Sequence, residues 1–223
     1  MRRAQTILAG LLIAALAILA PHSQTVAAMD CVEGSGVPRQ ETRELKAFTR
    51  LTVSGVFDVH VEVGPSQRVS IRGDDNILPH IVTEVRDGTL SVGSNRSLCI
   101  KTDLRLDITV PELSGFESGG TVSFDARGIH GRRFDLKLDG TGNAKLAGEC
   151  ERFDAAVLGT SDIQALDLSA QRVSIRLEGT GNASVYAGHR LDAVISGVGN
   201  ITYAGNPSQI NPHITGLGEL IPR

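Results

Sequence analysis

Asp139-Gly140-Thr141-Gly142-Asn143-Ala144 decides the reading of this chain, because the same pattern returns at a nearly constant interval. It recurs as Glu178-Gly179-Thr180-Gly181-Asn182-Ala183 and as Ser196-Gly197-Val198-Gly199-Asn200-Ile201. Looser copies are Leu158-Gly159-Thr160-Ser161-Asp162-Ile163 and Thr215-Gly216-Leu217-Gly218-Glu219-Leu220. A degenerate one is Glu117-Ser118-Gly119-Gly120-Thr121-Val122. With the first glycine of each copy as anchor, and Ser118 in its place in the degenerate copy, the spacings are 22, 19, 20, 18 and 19. A period near 20 is the size of one coil of a solenoid.

The flanks repeat in phase with the anchors. Six residues before them stand Phe134, Phe153, Val173, Leu191 and Ile210; two before stand Leu138, Val157, Leu177, Ile195 and Ile214. Four after stand Ala144, Ile163, Ala183, Ile201 and Leu220. Polar residues such as Asp135, Lys137, Arg176 and Asp192 fall between, which is the alternation of a strand with one buried face. A hairpin meander gives strands too, but it does not require equivalent residues in the same phase every 20 positions; stacked coils do. A helix is disfavoured, since each interior glycine costs it about 1 kcal/mol. The expected fold is therefore all-β: a right-handed parallel β-helix with coils of about 20 residues.

The bends have a structural reading. Glycine permits the positive φ of a corner, and asparagine tolerates the left-handed region better than other residues with a side chain. Gly140, Gly142, Asn143, Gly159, Asp162, Gly179, Gly181, Asn182, Gly197, Gly199, Asn200, Gly216 and Gly218 are thus expected to line one corner, with the amides passing hydrogen bonds from layer to layer. A calcium site matches the pattern poorly, because calcium-binding β-rolls repeat a nonapeptide twice per coil with an aspartate each time. No metal or cofactor is expected.

Residues 45–110 are also strand-rich. Val56-Phe57-Asp58-Val59-His60-Val61-Glu62-Val63 alternates, and Ser54-Gly55-Val56 looks like a diverged bend copy. Ile77 to Glu84 fits a short helix or another strand. This region is expected to form the first coils and an irregular N-terminal β cap, because an open solenoid end exposes sheet edges. The domain is expected to span 45–221, preceded by a loosely held polar arm at 29–44.

Residues 1–28 read as a signal peptide. Arg2 and Arg3 precede an apolar run from Ile7 to Ala20, and Thr25-Val26-Ala27-Ala28 offers small residues for cleavage. The run is shorter than the roughly 20 residues a membrane span needs, so no transmembrane segment is expected after cleavage. Export permits disulfides. Of Cys31, Cys99 and Cys150, one pair can bridge and one thiol is left over; Cys31 with Cys99 is the preferred pair, since it ties the arm to the domain. The six histidines are scattered, with no zinc spacing. A net charge of -3 argues against nucleic acid as a partner.

The run Phe48-x-x-Leu51-x-Val53-x-Gly55-Val56-Phe57-Asp58-Val59, then Val69-Ser70-Ile71-Arg72-Gly73-Asp74-Asp75-Asn76 and Gly88-Thr89-Leu90, followed by the repeated Gly-x-Gly-Asn, resembles the "head GIN domain" family of auto-transporter adhesins. The resemblance covers roughly residues 45–221. It implies a secreted or envelope-associated bacterial β-helix and brings no catalytic residues. Nothing after residue 221 is long enough to form a membrane barrel, so self-secretion is not expected.

Three functions follow as expectations. One is an exported, non-catalytic module of the periplasm, outer membrane or cell exterior that binds an envelope glycan, a protein or another copy of itself. Another is a carbohydrate-active enzyme built on the outward Asp135, Asp154 and Asp192, with Asp139 and Glu178 nearby; a row of outward aspartates is more often a solvated face. The third is a periplasmic structural or regulatory partner.

Overall fold

A computed structural model describes residues 31–223. The expected signal peptide lies outside the described residues. The strands run in order β1 (Val32–Glu33), β2 (Pro38–Arg43), β3 (Arg50–Val63), β4 (Arg68–Asp74), β5 (Ile81–Arg86), β6 (Thr89–Ser94), β7 (Leu98–Cys99) and β8 (Arg105–Val110). They continue as β9 (Gly115–Ile129), β10 (Arg133–Val157), β11 (Thr160–Leu177), β12 (Ala183–Ile195), β13 (Ile201–Ala204), β14 (Gln209–Ile214) and β15 (Leu220–Pro222). A 3₁₀ turn at Leu78–His80 precedes β5, so Ile77 to Glu84 is a turn followed by a strand. The chain is all-β.

Thirteen strands form one mostly parallel sheet, and β1 and β7 make a separate parallel pair. From β9 onward each segment pairs with the one a repeat later. Thr141 lies beside Thr160, Ile163 beside Ala183, Ala183 beside Ile201, and Ile201 beside Leu220. The longest run, β10, covers two layers, and just past its end the Leu158 amide donates to the Leu138 carbonyl within it at 2.9 Å. The repeat in the sequence is thus the register of the sheet.

The register moves one anchor. Gly120, not Ser118, lies beside Gly140, and Gly55 lies beside Gly120. Ser118 sits beside Leu138 and Val53, in an inward column, only 5% exposed. A two-residue shift keeps the in–out alternation of a strand, so apolar pattern alone could not detect the misplacement. The corrected spacings from Gly120 are 20, 19, 20, 18 and 19.

The inward columns are filled by complementary volumes. One runs Leu136, Ala155, Ile175, Ala193; another runs Ala144, Ile163, Ala183, Ile201. Each layer carries one large and one small residue, and the order reverses in the next. Such alternation fills space without voids or overlap. Towards the N-terminal end the core is broader and Phe116 stacks on Phe124, ring centroids 3.7 Å apart.

The first layers are out of chain order. One edge of β3 pairs with β9, and the other pairs with β6 and then β8, all parallel. Antiparallel β4 and β2 extend the sheet beyond β8, and β5 pairs antiparallel with β6. These strands cover the edge as a cap.

Residues 31–44 are held rather than loose. β1 pairs with β7, β2 pairs with β4, and Cys31 and Cys99 are disulfide-bonded across 68 residues. The buried Asp74 carboxylate accepts the amides of Gly36, Lys101 and Thr102 at 2.8, 2.9 and 3.1 Å. Polar composition suggested a loosely held arm tied by the disulfide; backbone pairing, which composition does not report, fixes it as well.

Candidate functional site

The repeated glycines come together at one corner. Their column is Gly55, Gly120, Gly140, Gly159, Gly179, Gly197 and Gly216. A Cβ on any of the last six would fall on the carbonyl oxygen of the glycine in the preceding layer. A second column holds Gly142, Gly181, Gly199 and Gly218, where a Cβ would strike the carbonyl of Val122, Ser161, Gly181 and Gly199 respectively. Positive φ accounts for Gly181, at 146°, but not for Gly159, Gly179, Gly197 and Gly216, which lie outside that region. The common cause is close approach: the backbone ladder continues round the corner, as in Val198 N–H donating to Gly179 O at 2.9 Å.

Asn143, Asp162, Asn182 and Asn200 are stacked at the same corner, but none has a positive φ, contrary to the left-handed reading. Asp162, Asn182 and Asn200 serve as acceptors. Asp162 Oδ1 takes the amide of Asn182 at 2.7 Å, Asn182 Oδ1 that of Asn200 at 3.1 Å, and Asn200 Oδ1 that of Glu219 at 2.9 Å. Each side chain replaces a ladder bond that the bend would otherwise break. Among the described residues no cluster of three or more His, Cys, Asp or Glu is arranged to hold a metal ion. Cys150 is buried, which pushes its thiol up to about 11, the wrong direction for a nucleophile.

Outside the corner, Thr121, Thr141, Thr160 and Thr180 are aligned along the stack, continued by Val198 and Leu217. The more informative surface is the flat face leading to the corner. Asp135, Asp154 and Asp192 all point outward there, and each is bound by the arginine two residues before it. Arg133 reaches Asp135 at 2.6 Å, Arg152 reaches Asp154 at 2.6 Å, and Arg190 reaches Asp192 at 2.7 Å. Residues i and i+2 of a strand share a face, so Arg-x-Asp is a pair by construction. Arg133 also bridges to Asp154 in the next layer at 3.2 Å, and Arg50 reaches Asp135 at 3.1 Å through the gap left by Gly115. The Arg190 guanidinium holds Asp192 below the usual carboxylate range. Lys137 pairs with Glu117 at 2.6 Å. Asp139 and Glu178 stand at the corner end of this face and make no ion pair among the described residues.

One layer breaks the rule. Here Arg172-x-Ser174 stands between Arg152-x-Asp154 and Arg190-x-Asp192. The aspartates stand out in the sequence, but their arginines were missed there. The signal was present, since Arg-x-Asp recurs with the period of the repeat. Two shallow concavities of about 340 and 430 Å³ open on this face. A larger one, about 630 Å³, lies on the cap beside His60, where Arg105–Asp107, Arg127–Asp125 and His60–Asp58 repeat the paired pattern at 2.8, 3.1 and 2.9 Å.

Residues 47–207 match the family model described as "Putative auto-transporter adhesin, head GIN domain". The chain belongs to this family. Among solved structures, the chain is similar to a protein from Bacteroides fragilis described as a putative adhesin, 22% identical, with a TM-score of 0.69, covering 86% of this chain and 100% of that one. A protein from Parabacteroides distasonis described as a putative lipid binding protein is 24% identical, with a TM-score of 0.50, over 86% of this chain and 99% of that one. These likenesses show a shared fold. No curated protein matches. Among the described residues no helix is long and apolar enough to cross a membrane.

Proposed function

We propose that this head GIN chain is an exported, non-catalytic binding module of the bacterial envelope or surface. In this reading it is wound as a right-handed parallel β-helix that presents its outward faces to a glycan or protein. The observation that carries it is the commitment of the outward carboxylates. Glycoside hydrolysis by paired carboxylates asks one of them to stay protonated near neutral pH. Asp135 and Asp154 are each bound to two arginines and Asp192 to one, and Asp192 is held below its ordinary range. A rigid face of ordered charge pairs suits recognition, since fixed donors and acceptors cost little ordering entropy on binding. Export is supported by the N-terminal sequence and the disulfide.

The test is retention of the purified chain on a glycan array and on envelope extracts, with the bound glycan sized before and after. Retention with unchanged glycan length is expected. New chain ends, lost on Asp135→Ala or Asp154→Ala, would establish an enzyme instead. No retention on either, by a protein that stays monomeric, would remove the binding reading.

A further inference from the structure

The break in the Arg-x-Asp ladder is a place for a missing negative charge. Arg172 has Arg152 and Arg190 as its neighbours in the adjoining strands, so three guanidinium groups stand in one column. Like charges on neighbouring strands repel. In the flanking layers an aspartate offsets this; here Ser174 takes its place. Nor do the neighbouring aspartates compensate. Asp154 Oδ2 accepts from Arg152 and pairs with Arg133, and its Oδ1 accepts from Arg152. Asp192 Oδ2 accepts from Arg190, and its Oδ1 accepts from Arg190 and Asn211. Every oxygen is in use, and Arg172 makes no ion pair among the described residues. Arg176, two positions beyond Ser174 on the same face, is likewise without an ion pair, and its neighbours in the adjoining strands are Ala156 and Val194. Residues lining the two concavities of this face include seven cationic and four acidic ones, on a chain whose net charge is -3.

We propose that Arg172, Ser174 and Arg176 form a binding site for the carboxylate or sulfate groups of a linear acidic polysaccharide. The inference rests on the reading of the chain as a binding module and names its ligand class. Arg172 and Arg176 are four residues apart on one strand, about 13 Å. That spacing calls for two anions along an extended polymer, with the Ser174 hydroxyl between them as a donor. Guanidinium is the suited group, because its planar fork pairs both oxygens of a carboxylate or sulfate. Arg152–Asp154 and Arg190–Asp192 wall the site as neutral pairs. A membrane surface is the less suitable partner, since Arg172, Ser174 and Arg176 lie in a single line along one strand, which an extended polymer follows and a plane of headgroups does not.

The experiment measures binding of the purified chain to polygalacturonate, heparin, neutral dextran and phosphatidylglycerol vesicles at low and high salt. Binding to polygalacturonate or heparin, weakened by salt and absent for dextran, is expected; the two polymers tell carboxylate from sulfate. Ser174→Asp restores the Arg-x-Asp pair of the other layers without removing a cation. It should weaken polyanion binding at least about tenfold while leaving thermal unfolding unchanged or raised. Arg172→Ala should do the same to binding, and Arg39→Ala, on the remote strand β2, should not. Equal binding by Ser174→Asp and the parent chain would overturn the proposal, as would stronger binding to vesicles than to either polymer. Capture of a neutral glycan but no polyanion would sink this site while leaving the binding module standing.

Discussion

Gly181 shows why the repeat is written in glycine. Its φ is 146°, and a Cβ there would fall on the carbonyl oxygen of Ser161, a backbone atom that cannot turn aside. Gly181→Ala should lower stability by at least about 2 kcal/mol, from backbone strain together with overpacking. Gly188 is the contrast. Its added Cβ would meet only the flexible end of Gln171, so Gly188→Ala should be within about 1 kcal/mol of neutral, both variants being read by urea titration. Asp74 makes a second residue-scale prediction. Burial pushes its carboxyl up, but the amides of Lys101, Thr102 and Gly36 outweigh this and hold it below the ordinary value of 3.8. A carboxyl lowered by folding contributes stability that is present above that ordinary value and is lost as pH falls through the lowered one. The urea midpoint should therefore hold steady from pH 7 to about 5 and fall below about 4. Asp74→Asn should flatten that fall, and an unaltered acid limb in the variant would place the effect elsewhere.

At the scale of the strand, the alternating columns make a paired prediction. Ile175→Ala leaves its layer with two small residues, the new alanine and Ala183, and should cost about 2–5 kcal/mol. Adding Ala183→Ile returns the volume to the layer but stacks it in the column of Ile163 and Ile201. The double variant should recover only part of the loss, measured as a coupling energy in a double-mutant cycle. If it recovers everything, only volume per layer matters. Strand identity and inward phase were legible from the apolar positions, because period-2 alternation is local. The anchor at Ser118 was misplaced because a shift of two preserves that alternation; only pairing of Gly120 with Gly55 and Gly140 separates the alternatives. The charged ladder was half legible. Asp135, Asp154 and Asp192 stood out as a column, while the meaning of Arg172-x-Ser174 depends on what its neighbours in adjacent strands have already bonded. The tie of the arm through Cys31–Cys99 was expected, but the pairing of β1 with β7 and of β2 with β4 was not, because those partners lie far away in sequence.

For the whole molecule, the two ends differ. At the N-terminal end, antiparallel strands and the disulfide close the stack. At the other, the inward columns run out into Ile214, 42% exposed, and the outer corner into Leu217, 73% exposed. Reducing Cys31–Cys99 should lower stability by about 4 kcal/mol, the loop-closure entropy of a span this long. Hydrogen exchange should then show lost protection in the cap amides of Gly34 and Lys101, with β11 and β12 unchanged, because layers of a repeat feel chiefly their neighbours. The interleaving of β3 between β6 with β8 and β9 has a consequence for how the chain reaches this state. Residues 50–63 are made before β6, β8 and β9, and the side facing β9 is complete only after residue 127. A nascent chain therefore holds an unsatisfied strand through the synthesis of some 65 further residues, the offset that separates Arg50 from Gly115. The cap strands β2, β4, β5, β6 and β8 are all available before β9, so the step that waits is closure of the β9-facing edge of β3, a non-local pairing, slow relative to local pairing and exposed to mispairing until it is done.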